Sequence, residues 1–128
     1  METTDTREKV RHLTELVTTG RANEAYRTYY APDVVMQENG ETPRTSLQAS
    51  IDRQDQATTG VTVNEFAPRS IVVDGSHAAI EWVIDITTPD GSHIHIEEFA
   101  LQTWKDGKIV QERFYYDPSQ SVPKPKNQ

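Results

Sequence analysis

The chain has 128 residues, a length that predicts a single domain around one hydrophobic core. Its 20 acidic residues outnumber its 13 basic residues, and the net charge of −7 disfavours nucleic acid as a partner because phosphate backbones repel it. Cysteine is absent and no apolar run approaches the roughly 20 residues that span a bilayer, so disulfides and thiolate chemistry are excluded and we expect a cytoplasmic protein without a membrane partner.

The first part of the chain has the apolar spacing of helices. Residues 4–19 carry apolar side chains every three to four positions, which predicts a first helix. A second helix, short and aromatic, is predicted over residues 23–31, because the ring and missing N–H of Pro32 stop a helix there. Ser46 is expected to cap a third helix that runs towards Gly60.

The rest of the chain has the pattern of β-strands. β-Branched residues that alternate with polar ones predict a short strand at 34–38, and four longer strands follow the third helix. These four strands are residues 61–73, 77–87, 93–104 and 108–117, and turns at Asp74-Gly75, Pro89-Asp90-Gly91 and Asp106-Gly107 separate them. The order predicts an α+β domain over residues 1–117, with three helices on one face of a curved antiparallel sheet, and a flexible tail over residues 118–128.

Alternation along the strands identifies the inner face of the sheet. In the strand 77–87 every even position is apolar, so these side chains are expected to face the core. If the next turn pairs Ile84 with Ile96, the same face continues through Glu98 and Gln102. Two polar residues then interrupt an apolar surface.

The last hairpin allows two registers. A glycine bulge at Gly107 turns one set of residues inward: Val110, Glu112, Phe114 and Tyr116. A two-residue turn brings in the other set: Ile109, Gln111, Arg113 and Tyr115. We favour the bulge.

Two stretches of this sequence resemble a known family. Tyr30-Ala31-Pro32-Asp33-Val34-Val35-Met36-Gln37-Glu38-Asn39-Gly40 follows two helices, and Trp104-Lys105-Asp106-Gly107-Lys108-Ile109 is followed by Glu112-Arg113-Phe114-Tyr115-Tyr116-Asp117. Over residues 7–117 this pattern resembles the SnoaL-like branch of the nuclear-transport-factor-two-like superfamily. The resemblance implies a cone of three helices and a highly curved sheet around a deep, mostly apolar pocket, and dimers through the sheet. The members of this superfamily include polyketide cyclases, ketosteroid isomerases, epoxide hydrolases, dehydratases and plain binding domains, so the fold alone does not indicate which activity the chain has.

Glu38 is the first candidate catalytic residue. The ketosteroid isomerases place a general base at the matching position, where a desolvated carboxylate with a raised pKa moves a proton next to a carbonyl. The second isomerase acid matches Ala100, and the isomerase tyrosine of the first helix matches Leu13 or Thr14. Because these oxyanion donors are missing, steroid isomerisation is disfavoured. The alternative is that Glu38 begins a solvated polar turn.

Glu98 and Glu112 complete the candidate catalytic set. An unpaired polar group in an apolar cavity lowers the stability of the folded state by about 1–3 kcal/mol, so its presence there suggests a function. Two carboxyl groups close together share a proton and can act as acid and base. The alternatives are that water reaches them or that they pair with an arginine such as Arg69. The candidate ligand-binding residues, of which the tyrosines could equally be core, are Tyr26, Tyr30, Met36, Trp82, Gln102, Phe114 and Tyr116.

The outer face of the sheet carries a histidine pair and an apolar patch. His93 and His95 have the spacing of metal ligands, but no third histidine follows and the nearest acids lie too close in sequence, so we expect neither a metal nor a cofactor. Val83, Phe99 and Leu101 share this face, and they predict a homodimer through the sheet.

These residues predict a pocket protein. We expect a small, largely apolar organic molecule in the cone-shaped pocket, and acid–base chemistry of the isomerase, cyclase or hydrolase type. Whether the protein is an enzyme stays open, because a non-catalytic ligand-binding or dimerising accessory domain fits the same residues.

Overall fold

The computed structural model describes residues 2–125 and contains the elements that the sequence predicts. The helices are α1 (Thr3–Thr18), α2 (Ala22–Tyr29) and α3 (Leu47–Thr58). The strands are β1 (Tyr30–Glu38), β2 (Thr62–Asp74), β3 (His77–Thr87), β4 (His93–Lys105) and β5 (Lys108–Tyr115), followed by a 3-10 helix at Pro118–Ser121. This confirms the α+β class. No helix within residues 2–125 is both long and apolar enough to cross a membrane.

The largest difference in boundaries lies between α2 and β1. The helix ends at Tyr29, and the chain enters the strand at Tyr30, four residues earlier than predicted. Pro32 therefore lies inside a strand at the edge of the sheet, where its missing N–H is tolerated. The pairing of β1 shifts register between Tyr30 and Val35, on either side of the proline.

The sheet is a five-stranded mixed sheet in the order β1-β5-β4-β3-β2. Strands β2 to β5 form the predicted antiparallel meander, with Ile84 opposite Ile96 as expected. Strand β1 pairs with β5 in parallel, which the prediction of an antiparallel sheet did not include. This pairing places Met36 beside Glu112 and Glu38 beside Phe114, so a carboxylate from the N-terminal half lies next to the last strand.

The β4–β5 turn differs from the favoured prediction. Asp106 and Gly107 have φ of 52° and 78°, and Lys105 pairs with Lys108, which together make a two-residue type I′ turn in place of a glycine bulge. Asp-Gly is a preferred sequence for this turn because both residues tolerate positive φ.

A bulge further along β5 nevertheless turns Glu112 inward, as predicted. Ile109 pairs with Trp104 and Gln111 pairs with Thr103, so Val110 is the extra residue of the strand. The prediction of Val110 on the inner face is wrong, because the buried Ile109 takes that place. Two residues later, Glu112 pairs with Gln102 and Phe114 pairs with Ala100 on the inner face.

The hydrophobic core fills one end of the space between helices and sheet. Helix α1 contributes Val10, Leu13 and Leu16, which are at most 2% exposed and pack against the sheet. The strand residues of this cluster are Tyr30, Val34, Met36, Val73, Ala78, Ile80, Trp82, Ala100, Trp104 and Ile109. Beyond Trp82, the inner faces of β3 and β4 line a cavity instead.

The segment after Asp117 lies along β4 beyond the end of β5. Asp117 caps the 3-10 helix by accepting a hydrogen bond from the Ser119 N–H at 2.9 Å. His93 and Lys124 exchange two backbone hydrogen bonds of 2.8 Å. The predicted flexibility of residues 118–128 stays a prediction, and residues 126–128 lie outside the described part of the chain.

The Asp106-Gly107 turn predicts a stability difference between two glycines. An alanine at Gly107 must adopt a φ near +78°, which costs about 1–2 kcal/mol. We therefore expect Gly107→Ala to lower the free energy of unfolding, measured by urea denaturation, by about 1–2 kcal/mol. Gly40→Ala is the control, because Gly40 has no positive φ and an added Cβ there meets open space. Equal losses in the two variants would contradict the turn geometry.

Candidate active site

A cavity of about 450 Å³ lies between the helices, β1 and the inner face of the sheet. Its wall is mainly apolar, and the larger apolar side chains that form it include Leu13, Met36, Phe66, Trp82, Ile84, Ile86, Ile94, Ile96 and Phe114. A small organic molecule of mostly apolar character matches this volume and lining.

All three predicted carboxyl groups line this cavity. Glu38 comes from the end of β1, Glu98 from β4 and Glu112 from β5, so a strand of the N-terminal half and the last two strands bring them together. Glu38 and Glu112 are 6% and 2% exposed, and Glu98 is partly buried. Their charges are close enough to influence one another, because Glu38 and Glu112 both raise the pKa of Glu98.

Glu38 is bound by two arginines. Arg44 Nη1 donates to Glu38 Oε2 at 2.7 Å, and Arg53 Nη1 donates to Glu38 Oε1 at 2.5 Å. Arg44 is itself held by Ser50, whose Oγ accepts from Arg44 Nε at 3.0 Å. Glu38 is therefore not the isolated, desolvated carboxylate that the resemblance to the isomerases implied, since two guanidinium groups compensate its charge.

The turn after β1 places these arginines. Asn39 adopts a φ of 48°, a left-handed conformation that asparagine tolerates, and the chain folds back so that Arg44 pairs with the backbone of Met36. The Ser46 side chain then caps α3 by accepting from the Ala49 N–H at 3.1 Å. From this start, helical spacing directs Arg53 towards the cavity.

Glu112 is held by two hydrogen-bond donors. Tyr30 Oη donates to Oε1 at 2.5 Å and Gln102 Nε2 donates to Oε2 at 2.8 Å. Trp104 Nε1 donates to Gln102 Oε1 at 3.0 Å, and because an indole N–H can only donate, it orients the amide with its NH₂ towards Glu112. Burial raises the pKa of Glu112 to about 7, although the two hydrogen bonds stabilise the carboxylate.

Glu98 has neither an arginine nor a donor on its carboxyl group among residues 2–125. It lies opposite Trp82, and burial together with the negative charges of Glu38 and Glu112 raises its pKa to about 8. Glu98 is therefore mostly protonated at neutral pH. The proposed alternative of a pair with Arg69 is wrong, because Arg69 binds Glu97 at 2.7 Å on the outer face.

Six of the seven predicted ligand-binding residues line the cavity: Tyr26, Tyr30, Met36, Trp82, Phe114 and Tyr116. The ring of Tyr26 packs edge-on against Tyr30 at 4.9 Å, and burial raises the pKa of both phenols. Gln102 is the exception. It is fully buried behind Glu112, so it orients that carboxyl group and does not form part of the cavity wall.

Sequence reasoning missed Arg44, Ser50 and Arg53, which all line the cavity. A partial signal was present, because Ser50 and Arg53 lie one helical turn apart on α3. In addition, a buried carboxylate needs a cation to compensate its charge, which indicated an arginine near the predicted glutamates. The partner chosen from the sequence was Arg69, which the sheet places on the opposite face.

The predicted histidine pair lies on the outer face of the sheet. Asp85 binds His93 at 2.6 Å and His95 at 2.7 Å. Despite partial burial, hydrogen bonds from these rings lower the pKa of Asp85 to about 2, and Asp85 and Glu97 raise the pKa of His95. Within residues 2–125 no group of three or more acidic or histidine side chains is arranged to hold a metal ion.

The chain is similar to known proteins in sequence and in fold. The family model of the SnoaL-like domain matches residues 10–112. No protein with a curated description matches the chain. A candidate SnoaL-like polyketide cyclase from Mesorhizobium loti is 27% identical, with a TM-score of 0.76 and coverage of 86% of this chain and 97% of that one.

Two further solved structures share the fold at lower identity. IdmH, a candidate polyketide cyclase from Streptomyces antibioticus, is 20% identical, with a TM-score of 0.71 over 90% of this chain and 94% of its own. An LEH-like epoxide hydrolase of M. tuberculosis is 15% identical, with a TM-score of 0.74 over 92% of this chain and 86% of its own.

The raised pKa of Glu98 predicts how stability depends on pH. The unfolded chain releases this proton near pH 4.5, whereas the folded protein holds it until about pH 8. The stabilisation is complete below the lower value and is lost as pH rises through the upper one. Between about pH 5 and 9 the wild type should therefore lose free energy of unfolding, whereas Glu98→Gln has no such proton to release. Because one pKa unit corresponds to about 1.4 kcal/mol, we expect the loss in the wild type to exceed the loss in Glu98→Gln by about 2–4 kcal/mol.

Urea denaturation at several pH values measures this difference. Glu65→Gln, an exposed substitution on β2, serves as the control and should keep the wild-type slope. A Glu98→Gln profile that runs parallel to the wild type would show that the folded protein does not hold the proton.

Proposed function

The chain belongs to the SnoaL-like domain family, and we propose that it binds a small, largely apolar carbonyl compound in its cone-shaped cavity and transfers a proton on it by acid–base catalysis. The observation that supports this proposal is the presence of two carboxyl groups, Glu98 and Glu112, whose pKa values are raised to about 8 and about 7, on the wall of one apolar cavity. Buried acids with such pKa values can exchange protons near neutral pH.

The environments of the two residues assign their roles. Glu98 carries its proton at neutral pH and has no hydrogen-bond donor on its carboxyl group among residues 2–125, so it suits the acid. Glu112 has the lower pKa of the two, and its carboxylate is held by Tyr30 and Gln102, so it suits the base. Each oxygen of Glu112 keeps a lone pair for a proton from the substrate.

The proposed step is enolisation. Glu112 removes a proton from the carbon next to the carbonyl, and the electron pair of that C–H bond forms the new C=C bond. The carbonyl oxygen takes the proton of Glu98, which leaves Glu98 ionised and Glu112 protonated. Return of the proton from Glu112 to a different carbon gives an isomer, and the enol proton returns to Glu98. Attack of the enol carbon on a second carbonyl within the same molecule closes a ring instead: the first carbonyl re-forms and its O–H proton returns to Glu98, while the new alkoxide takes the proton of Glu112.

Deuterium exchange next to the carbonyl of 2-tetralone tests this proposal. In D₂O at about pH 7, wild-type protein should increase the exchange rate followed by proton NMR. Glu98→Gln and Glu112→Gln should each reduce the protein-dependent rate by about 100-fold or more, a typical contribution of one acid or base.

The matched control is Glu97→Gln, which changes the adjacent residue on the outer face of β4 and should keep the wild-type rate. The proposal would be overturned if the Glu98→Gln and Glu112→Gln variants both kept the wild-type exchange rate. If 2-tetralone binds without any increase in exchange, the non-catalytic binding alternative is correct.

We also propose a homodimer through the outer face of the sheet. Val72, Phe99, Leu101 and Tyr115 are 65%, 49%, 43% and 43% exposed there, and they occupy adjacent rows of β2, β4 and β5. Both signs of charge flank this patch, at Arg69, Arg113, Glu81 and Glu97, so a second copy related by a two-fold axis can match it. Val83, which the sequence included in the patch, is 7% exposed because it lies on the interior strand β3 between Ala67 and Glu97.

Sedimentation velocity tests the dimer. Leu101→Glu places a charge in the middle of the patch and should convert the dimer to monomer. Val122→Glu, an exposed apolar position in the C-terminal segment, should leave the dimer intact. A wild-type monomer at about 100 μM would contradict the proposal. The cytoplasmic location and the absence of nucleic-acid and membrane partners stay predictions.

A further inference from the structure

The two arginines on Glu38 have more hydrogen-bond donors than this carboxylate uses. Arg44 donates through Nε and Nη1, and Arg53 donates to Glu38 through Nη1 alone. A guanidinium group has five N–H donors. Among residues 2–125, Arg53 has one further side-chain partner, the Tyr116 hydroxyl, so several N–H donors of the two guanidinium groups stay unused. Both side chains line the cavity, so these donors are available to a ligand.

The two arginines differ in how firmly they are held. Arg44 is bonded to both Ser50 and Glu38, and its side chain is 20% exposed. Arg53 reaches the cavity from α3, and its side chain is 48% exposed. Arg53 is therefore the arginine that solvent and an entering ligand meet, whereas Arg44 anchors Glu38.

The charge of the cavity favours an anion. Glu38, Arg44 and Arg53 sum to one positive charge. Burial raises the pKa of Glu98 to about 8, so it carries a proton at neutral pH, and the cavity tyrosines are neutral there. Glu112 has a pKa of about 7 and supplies the carboxylate that the proposed base needs, so the positive charge belongs to the arginine group and not to the whole cavity. The group of Glu38, Arg44 and Arg53 thus carries one positive charge that Glu38 does not compensate, in a chain whose net charge is −7.

We propose that the substrate of this cavity is a carbonyl compound that also carries a carboxylate, and that Arg53 binds this carboxylate at the mouth of the cavity. The proposal rests on the function proposed above and specifies its substrate class. A carboxylate matches the site better than a phosphate dianion, because one negative charge balances the one positive charge of the Glu38, Arg44 and Arg53 group. The planar guanidinium also matches the two oxygens of a carboxylate.

Tyr116 lies beside this position. Its phenol neighbours Arg53 and lines the cavity, so its hydroxyl can donate a second hydrogen bond to the same carboxylate. The apolar body of the ligand would then lie against Ile84, Ile96 and Trp82, with its carbonyl within the part of the cavity that Glu98 and Glu112 line.

Calorimetric titration with two compounds of equal shape tests the inference. 2-Naphthoate carries the carboxylate, and 2-naphthamide is its neutral counterpart. At about pH 7 we expect wild-type protein to bind 2-naphthoate at least about 10-fold more tightly, as a charge-assisted hydrogen-bond pair provides. Arg53→Gln should remove this preference and leave 2-naphthamide binding within about 2-fold, and Arg53→Lys should restore part of it because the positive charge remains.

Two further variants sharpen the test. Arg69→Gln, an arginine bound to Glu97 on the outer face, should leave both affinities unchanged. Glu38→Gln should tighten 2-naphthoate binding, because it frees both guanidinium groups from their internal carboxylate. Arg53 is half exposed, so Arg53→Gln keeps the test decisive if Glu38→Gln fails to fold.

The outcomes separate this inference from the proposed function. Equal binding of the two compounds by the wild type, absence of 2-naphthoate binding, or an Arg53→Gln variant that keeps the preference would overturn the carboxylate inference alone, provided that 2-tetralone exchange still depends on Glu98. Arg53-dependent 2-naphthoate binding without Glu98-dependent exchange would support the carboxylate site and overturn the acid–base function.

Discussion

Carboxyl groups in an apolar cavity must have their charge compensated or must keep their proton, and this requirement shapes the inner wall of the protein. The chain meets it in three different ways. Glu38 forms ion pairs with Arg44 and Arg53, Glu112 accepts hydrogen bonds from Tyr30 and Gln102, and Glu98 keeps its proton. Glu98 and Glu112 consequently hold their protons with different strength within one cavity, which is the property that acid–base catalysis needs.

Local pattern was sufficient to predict most of the fold and the location of the acids. Side chains alternate strictly along a strand, so the apolar even positions of β3 determined the face of its neighbour and turned Glu98 inward through the Ile84–Ile96 pair. Helix positions followed from apolar spacing and from the cap at Ser46. These features depend on residues close in sequence or on pairing across a short turn, and a single sequence records both.

Contacts between distant parts of the chain could not be predicted in this way. The parallel pairing of β1 with β5 joins segments separated by α3 and three strands, and nothing in the period of either strand specifies it. The same holds for the arginines, because the contact of Arg53 with Glu38 depends on how α3 packs over β1. Glu112 was correctly predicted to face inward, but from a glycine bulge at Gly107 that the structure does not contain. In the structure a bulge at Val110 turns Glu112 inward.

The C-terminal segment has a consequence for behaviour at high concentration. Strand β5 stops at Tyr115, so the part of β4 between His93 and Glu97 would present unpaired backbone groups as an open sheet edge. On this edge the backbone of Lys124 exchanges hydrogen bonds with the backbone of His93. The side chain of Gln120 accepts a hydrogen bond from the Glu97 N–H. An open edge can add a strand from another molecule and begin aggregation. A few residues with almost no apolar mass thus shield this part of β4 against pairing with a strand of another molecule.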